Sequence, residues 1–132
     1  MDKKKILIAD DERDVLSVLK KSLSTEGYSV IEADSGRDVL ALAKLEHPNL
    51  IILDLEMADM YGGDVAMKLK EDPEMKHIPV MFLTGMFPKE DEPERGWMIA
   101  DHMLFAKPYD MKKLAAAIRG LLENKIEDCL NI

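Results

Sequence analysis

The segment LIILDLEMAD, residues 50–59, sets four aliphatic residues in succession and ends them on a bare carboxylate, Asp54. Leu50, Ile51, Ile52 and Leu53 show no polar alternation, the pattern of a strand covered on both faces, as in a parallel sheet with helices above and below. Asp54 then stands at the strand's carboxyl end. In open α/β sheets that edge is where ligands bind.

Outward from this segment, strand-like and helix-like stretches alternate at the size of βα units. KKILIAD reads as a strand, and ERDVLSVLKKSLSTEG spaces Val15, Leu16, Leu19 and Leu23 as a helix that stops at Gly27. YSVIEA is the second strand. Ser35 suits the N-cap of a helix through RDVLALAKLE, which ends before Pro48 and leads back into LIILD. Gly62 and Gly63 open DVAMKLKED, HIPVMFLT is a fourth strand with Pro79 at its start, and HMLFAK is a short fifth. The last helix begins at Asp110 as N-cap and carries Leu114, Ile118, Leu122, Ile126 and Leu130 on one stripe. Five strands with right-handed crossovers predict a doubly wound α/β fold, a parallel, flavodoxin-like (βα)5 sheet of order 2-1-3-4-5.

At 132 residues the chain is expected to form a single domain over 1–132, the last ten or so residues being a helix extension or a linker. A hydrophobic fraction of 47% and a charged fraction of 33% describe a soluble globular protein, with no apolar run of membrane-spanning length. The start, MDKKKILIADDE, lacks the apolar core of a signal peptide, and the lone Cys129 reads as a small hydrophobe, so a cytoplasmic location is expected. A net charge of −8 argues against direct nucleic-acid binding.

The predicted sheet order gathers the polar residues at the strand ends into one group: Asp10 and Asp11, Asp54, Thr84 and Lys107. Neighbouring carboxylates repel unless a cation intervenes, and Mg2+ prefers hard oxygen ligands together with a substrate phosphate oxygen. Thr84 can donate to a phosphoryl oxygen and Lys107 can neutralise another, leaving Asp54 to attack phosphorus and form an aspartyl phosphate. Taken alone, a strand-ending Asp suits a turn cap equally well. The joint placement favours the reactive site.

Four segments, ILIADDE, LDLEMADMYGG, IPVMFLTG and AKPYD, occur in that order. In this ordered set the chain resembles the CheY-like receiver domain of bacterial two-component response regulators, from residue 4 to about 122. The resemblance implies that Asp54 is the phosphoacceptor, Asp11 a direct Mg2+ ligand and Asp10 one acting largely through water. It further implies that Glu56 offers its backbone carbonyl to the metal, that Thr84 and Lys107 hold the phosphoryl group, and that the Lys107–Pro108 bond is cis. A sensor histidine kinase or a histidine phosphotransfer protein would be the donor and an output protein or domain the receiver of the signal. The chain would not be an enzyme beyond catalysing its own phosphorylation and dephosphorylation.

The sequence departs from the family at three places. Ala58 stands where Pro is common, which loosens the loop after Asp54. Leu104 occupies the usual position of the switch aromatic, with Phe105 one residue along, so either the strand shifts or the usual coupling is missing. Pro88, Pro93 and Gly96 fall where the fourth helix belongs, and an interior proline costs a helix about 3 kcal/mol, so a late, shortened fourth helix from near Pro93 is expected. Met86, Phe87 or Trp97 would then serve a partner surface or cover the sheet end.

Two further functions compete. One is a phosphorylation-independent binding module on the same fold. The other is a haloacid-dehalogenase-type phosphohydrolase, disfavoured because Asp10 and Asp11 precede Asp54. His47, His77 and His102 read as surface residues, and Met57, Met60, Met67, Met75 and Met81 as packing. The stripe through Ile126 and Leu130 leaves a homodimer contact, a linker and a frayed end all open.

Overall fold

The computed structural model describes residues 3–85, 97–99 and 102–123. In chain order its elements are β1 (Lys5–Ala9), α1 (Arg13–Thr25), β2 (Ser29–Ala33), α2 (Gly36–Glu46), β3 (Leu50–Leu53), α3 (Gly62–Glu71), β4 (Val80–Thr84), β5 (Trp97–Ile99), β6 (His102–Ala106) and α4 (Met111–Leu122). The aliphatic runs of β1, β3 and β4 lie at the centre of one sheet of order β2-β1-β3-β4-β6-β5. All pairings from β2 to β6 are parallel. With β6 as the predicted fifth strand, the expected order 2-1-3-4-5 is the one observed.

Alternate residues of each central strand feed opposite cores, as the two-residue period of a strand requires. Leu7, Ile51, Leu53, Val80, Phe82 and Leu104 pack with Val39 and Ala43 of α2 and Val65 and Leu69 of α3. On the other face Ile6, Ile8, Ile52, Met81, Leu83 and Phe105 pack with Leu16, Leu19 and Leu23 of α1 and Leu114 and Ile118 of α4. This is why LIIL shows no polar alternation: both of its faces are interior.

The region of the predicted fourth helix differs. Residues 86–96, and with them Met86, Phe87 and Pro93, lie outside the described residues, but Trp97–Ile99 form a strand and so belong to no helix running on from Pro93. β5 pairs antiparallel with β6, Ile99 opposite His102 and Trp97 opposite Leu104. The reason is a free edge: β6 would otherwise end the sheet with its backbone groups unpaired, and an aromatic and a β-branched residue suit a strand there.

The register of β4 with β6 runs without interruption from Met81↔Met103 to Thr84↔Ala106. No shift therefore brings Phe105 to the face of Leu104. Phe105 is 7% exposed in the core beneath α1 and α4, and Leu104 lies in the opposite one. Of the methionines expected to pack, Met57, Met75 and Met81 are buried, whereas Met67 is 60% exposed because it falls off the Val65, Ala66, Leu69 stripe of α3.

The predicted caps form. Ser35 Oγ accepts from Asp38 N at 3.2 Å, and Gly27 takes the left-handed φ of 97° after α1 that a non-glycine residue resists. Asp110 Oδ1 accepts from the amides of Lys112 (2.9 Å) and Lys113 (3.2 Å). Asp110→Ala is expected to lower stability by about 1 kcal/mol, seen as a lower urea midpoint at unchanged slope. Ile126, Cys129 and Leu130 lie outside the described residues.

Candidate functional site

Asp10 follows β1 and Asp54 follows β3, and the bond from Asp54 N to Ala9 O (3.0 Å) carries the β1–β3 pairing to the ends of the strands. The two carboxylates are treated alike by their own backbones. Glu12 N donates to Asp10 Oδ1 at 2.9 Å, and Glu56 N donates to Asp54 Oδ1 at 3.2 Å. Each is a turn in which an Asp oxygen takes the amide two residues on. The remaining oxygen of each is thereby aimed into the space between the strands.

Lys107 fills that space. Its backbone N donates to Thr84 O at 2.8 Å, extending the β4–β6 ladder by one step. Its Nζ donates to Asp10 Oδ2 and, at 3.4 Å, to Asp54 Oδ2. The Lys107–Pro108 bond that follows is cis. Asp10 and Asp54, at 3% and 6% exposure, and Thr84, fully covered, are the buried polar side chains among the described residues. Burying a charge is costly unless it is paired, and here the lysine supplies the pairing.

Burial pushes the Asp54 carboxyl above the ordinary carboxylate range, and the charge of Asp10 adds to this; the Glu56 amide and the Lys107 ammonium offset part of it. Burial would lower the Lys107 ammonium, but its bonds to Asp10 and Asp54 more than reverse this and hold it above its usual value.

Asp11 completes the group from the solvent side, and a further carboxylate that the sequence reading passed over, Glu12, joins it. Asp10, Asp11, Glu12 and Asp54 each offer an oxygen within 4.8 Å of the others, and Glu12 Oε1 lies 3.8 Å from Lys107 Nζ. The signal for Glu12 was its place as the third acid of ADDE. Above them is a cleft of about 470 Å3 lined by Asp11, Glu12, Asp54, Glu56, Thr84 and Lys107 among others. The hard, anionic oxygen set suits a small divalent cation. His47 and His77 are exposed and precede β3 and β4, at the end of the sheet opposite this rim, as expected of surface residues.

A family profile described as "Response regulator receiver domain" matches residues 6–119. The chain belongs to that family. This receiver domain is 37% identical over 122 residues to the "Probable transcriptional regulator ycf27" of Porphyridium aerugineum, over 92% of this chain and 49% of that protein. It thus spans about half the length of that relative. To the polar-differentiation response regulator DivK of Brucella ovis it is 30% identical over 119 residues, 90% of this chain and 96% of that one. The solved structure of the chemotaxis response regulator CheY4 of Vibrio cholerae superposes with a TM-score of 0.76 at 22% identity, covering 91% and 99% of the two chains, a likeness of fold. As a receiver domain the chain is a signalling module of two-component systems. No helix among the described residues is long and apolar enough to cross a membrane.

Proposed function

We propose that this receiver domain is a phosphorylation-dependent switch whose phosphoacceptor is Asp54. The observation that carries the reading is the convergence of Asp10 Oδ2 and Asp54 Oδ2 on one lysine at the floor of an open cleft. In this reading Asp54 Oδ1 stays with the Glu56 amide and Oδ2, which faces Lys107, attacks phosphorus. The new bond joins Oδ2 to phosphorus while the bond from phosphorus to the donor's leaving atom breaks, the electron pair departing with the leaving group. Lys107, already at Oδ2, becomes the counter-charge of the transferred group, and the Thr84 hydroxyl donates to another of its oxygens. Mg2+, held by Asp10, Asp11, Asp54 and the Glu56 carbonyl, would supply charge neutralisation among the carboxylates and on the phosphoryl oxygens.

The donor in this reading is a histidine kinase or a histidine phosphotransfer protein, and the output is a changed affinity for a partner protein or domain. Catalysis stays self-directed. Burial of Phe105 beneath α1 and α4 supports an output that does not depend on a rotating aromatic at the end of β6.

Incubation with acetyl phosphate followed by intact-mass analysis tests the assignment. One phosphoryl adduct that requires Mg2+ and is absent in Asp54→Asn is expected; an adduct that persists in that variant places the acceptor elsewhere.

A further inference from the structure

The loop that leaves Asp54 is closed at its base and fastened at its tip by different devices. At the base, Gly62 N donates to Leu55 O at 2.7 Å and Glu56 bridges Tyr61, so residues 56–61 fold back on themselves. At the tip, Asp59 reaches a separate element: its Oδ1 accepts from Gly36 N at 2.9 Å and its Oδ2 from Arg37 N at 3.1 Å. These amides open α2, where the first turn of a helix leaves its donors without internal partners. Gly36 lets the two segments meet, since a Cβ there would stand 2.7 Å from Cβ of Met60.

We propose that Asp59 is a positioning residue for the phosphorylation site, clasping α2 so that the loop presents the Glu56 carbonyl to the cation and holds the turn behind Asp54. This rests on the reading of Asp54 given above. A backbone carbonyl is only as well placed as the loop that carries it, and a displacement of about 1 Å at such a group can cost about two orders of magnitude in rate. Ala58 removes the torsional restraint that a proline would impose at this point, and the two-oxygen clasp restores it from outside the loop. The Gly36 and Arg37 amides hold the Asp59 carboxyl below the usual carboxylate range, which keeps the clasp ionised at neutral pH. By linkage, a cation that favours the closed loop also protects these two amides.

The test uses the full chain, Mg2+ titrated calorimetrically, and amide exchange at Gly36 and Arg37. Asp59→Ala is expected to raise the Mg2+ Kd about tenfold, the effect typical of losing an outer partner of a metal site, and to remove exchange protection at both amides. Asp59→Asn, left with one acceptor oxygen, should fall between. Ser35→Ala is the control: it removes the other cap of α2, the bond from Asp38 N, without touching the loop, and should leave the Mg2+ Kd within about twofold. Equal shifts in Asp59→Ala and Ser35→Ala, or exposed amides with an unchanged Kd, overturn the positioning role. A wild-type chain that binds no Mg2+ overturns the Asp54 reading as well, and the amide exchange shows whether the clasp itself exists.

Discussion

Lys107→Met is expected to lower the stability of the metal-free protein by about 3 kcal/mol, the scale on which removing one partner leaves buried charge uncompensated. Two carboxylates depend on this ammonium, Asp10 and Asp54, and both are almost wholly covered. The pH dependence follows from the directions of the shifts. Lys107 is raised in the fold, so its stabilisation is complete below the ordinary lysine value near 10.5 and is lost as pH climbs through the higher folded one. That alkaline loss should be absent in the variant. Asp54 is raised above 3.8, so its ionisation counts against the fold; losing Lys107 removes an influence that lowers it, so the variant's carboxyl protonates first and the gap to wild type should narrow as pH falls toward the wild-type value. Added Mg2+ should recover much of the lost stability by taking over the same oxygens. Urea midpoints across pH, with and without Mg2+, read all of this. A variant as stable as wild type at pH 7 without Mg2+ would refute the account of the rim as a charge-compensated cluster.

Gly62→Ala is expected to cost about 3 kcal/mol and to abolish the phosphorylation proposed at Asp54, because the site and the start of α3 share backbone contact. A Cβ on Gly62 would lie 2.4 Å from the carbonyl oxygen of Asp54 and 2.9 Å from Leu55 Cα. Both are main-chain atoms, so no rotamer relieves the overlap. α3 must lift away from the end of β3, carrying with it the bond from Gly62 N to Leu55 O. Gly63→Ala provides the internal comparison, since the nearest atoms to its Cβ all belong to the ring of Tyr61, the first at 2.6 Å, and that side chain is 48% exposed and able to swing aside. Its cost should stay within about 1 kcal/mol. Indistinguishable urea midpoints for the two variants would show that the close approach at Gly62 has no energetic weight.

Much of the site was legible because a parallel sheet converts strand ends into neighbours. Asp10, Asp11, Asp54, Thr84 and Lys107 each follow or close an apolar run, and once the runs are ordered their side chains meet at one rim. Glu12 was passed over because a third consecutive acid reads as a solvated surface until the fold brings it 3.8 Å from Lys107. The strand at Trp97–Ile99 was missed for a different reason. Three residues carry little local preference against two prolines and a glycine nearby, and what makes them a strand is the ladder offered by β6.

The sequence by itself determined the doubly covered strands, the helix caps at Ser35 and Asp110, and the residue types at the rim, because apolar periodicity and capping are properties of neighbouring positions. Only the tertiary structure decided which core receives Phe105, that β5 pairs beside β6, and that Asp59 fastens the loop after Asp54 to α2. Those outcomes depend on register and on which segments lie side by side. Every residue other than proline carries a backbone amide, so nothing in the identity of Gly36 or Arg37 marks it as the partner of a carboxylate more than twenty positions away until the chain has folded.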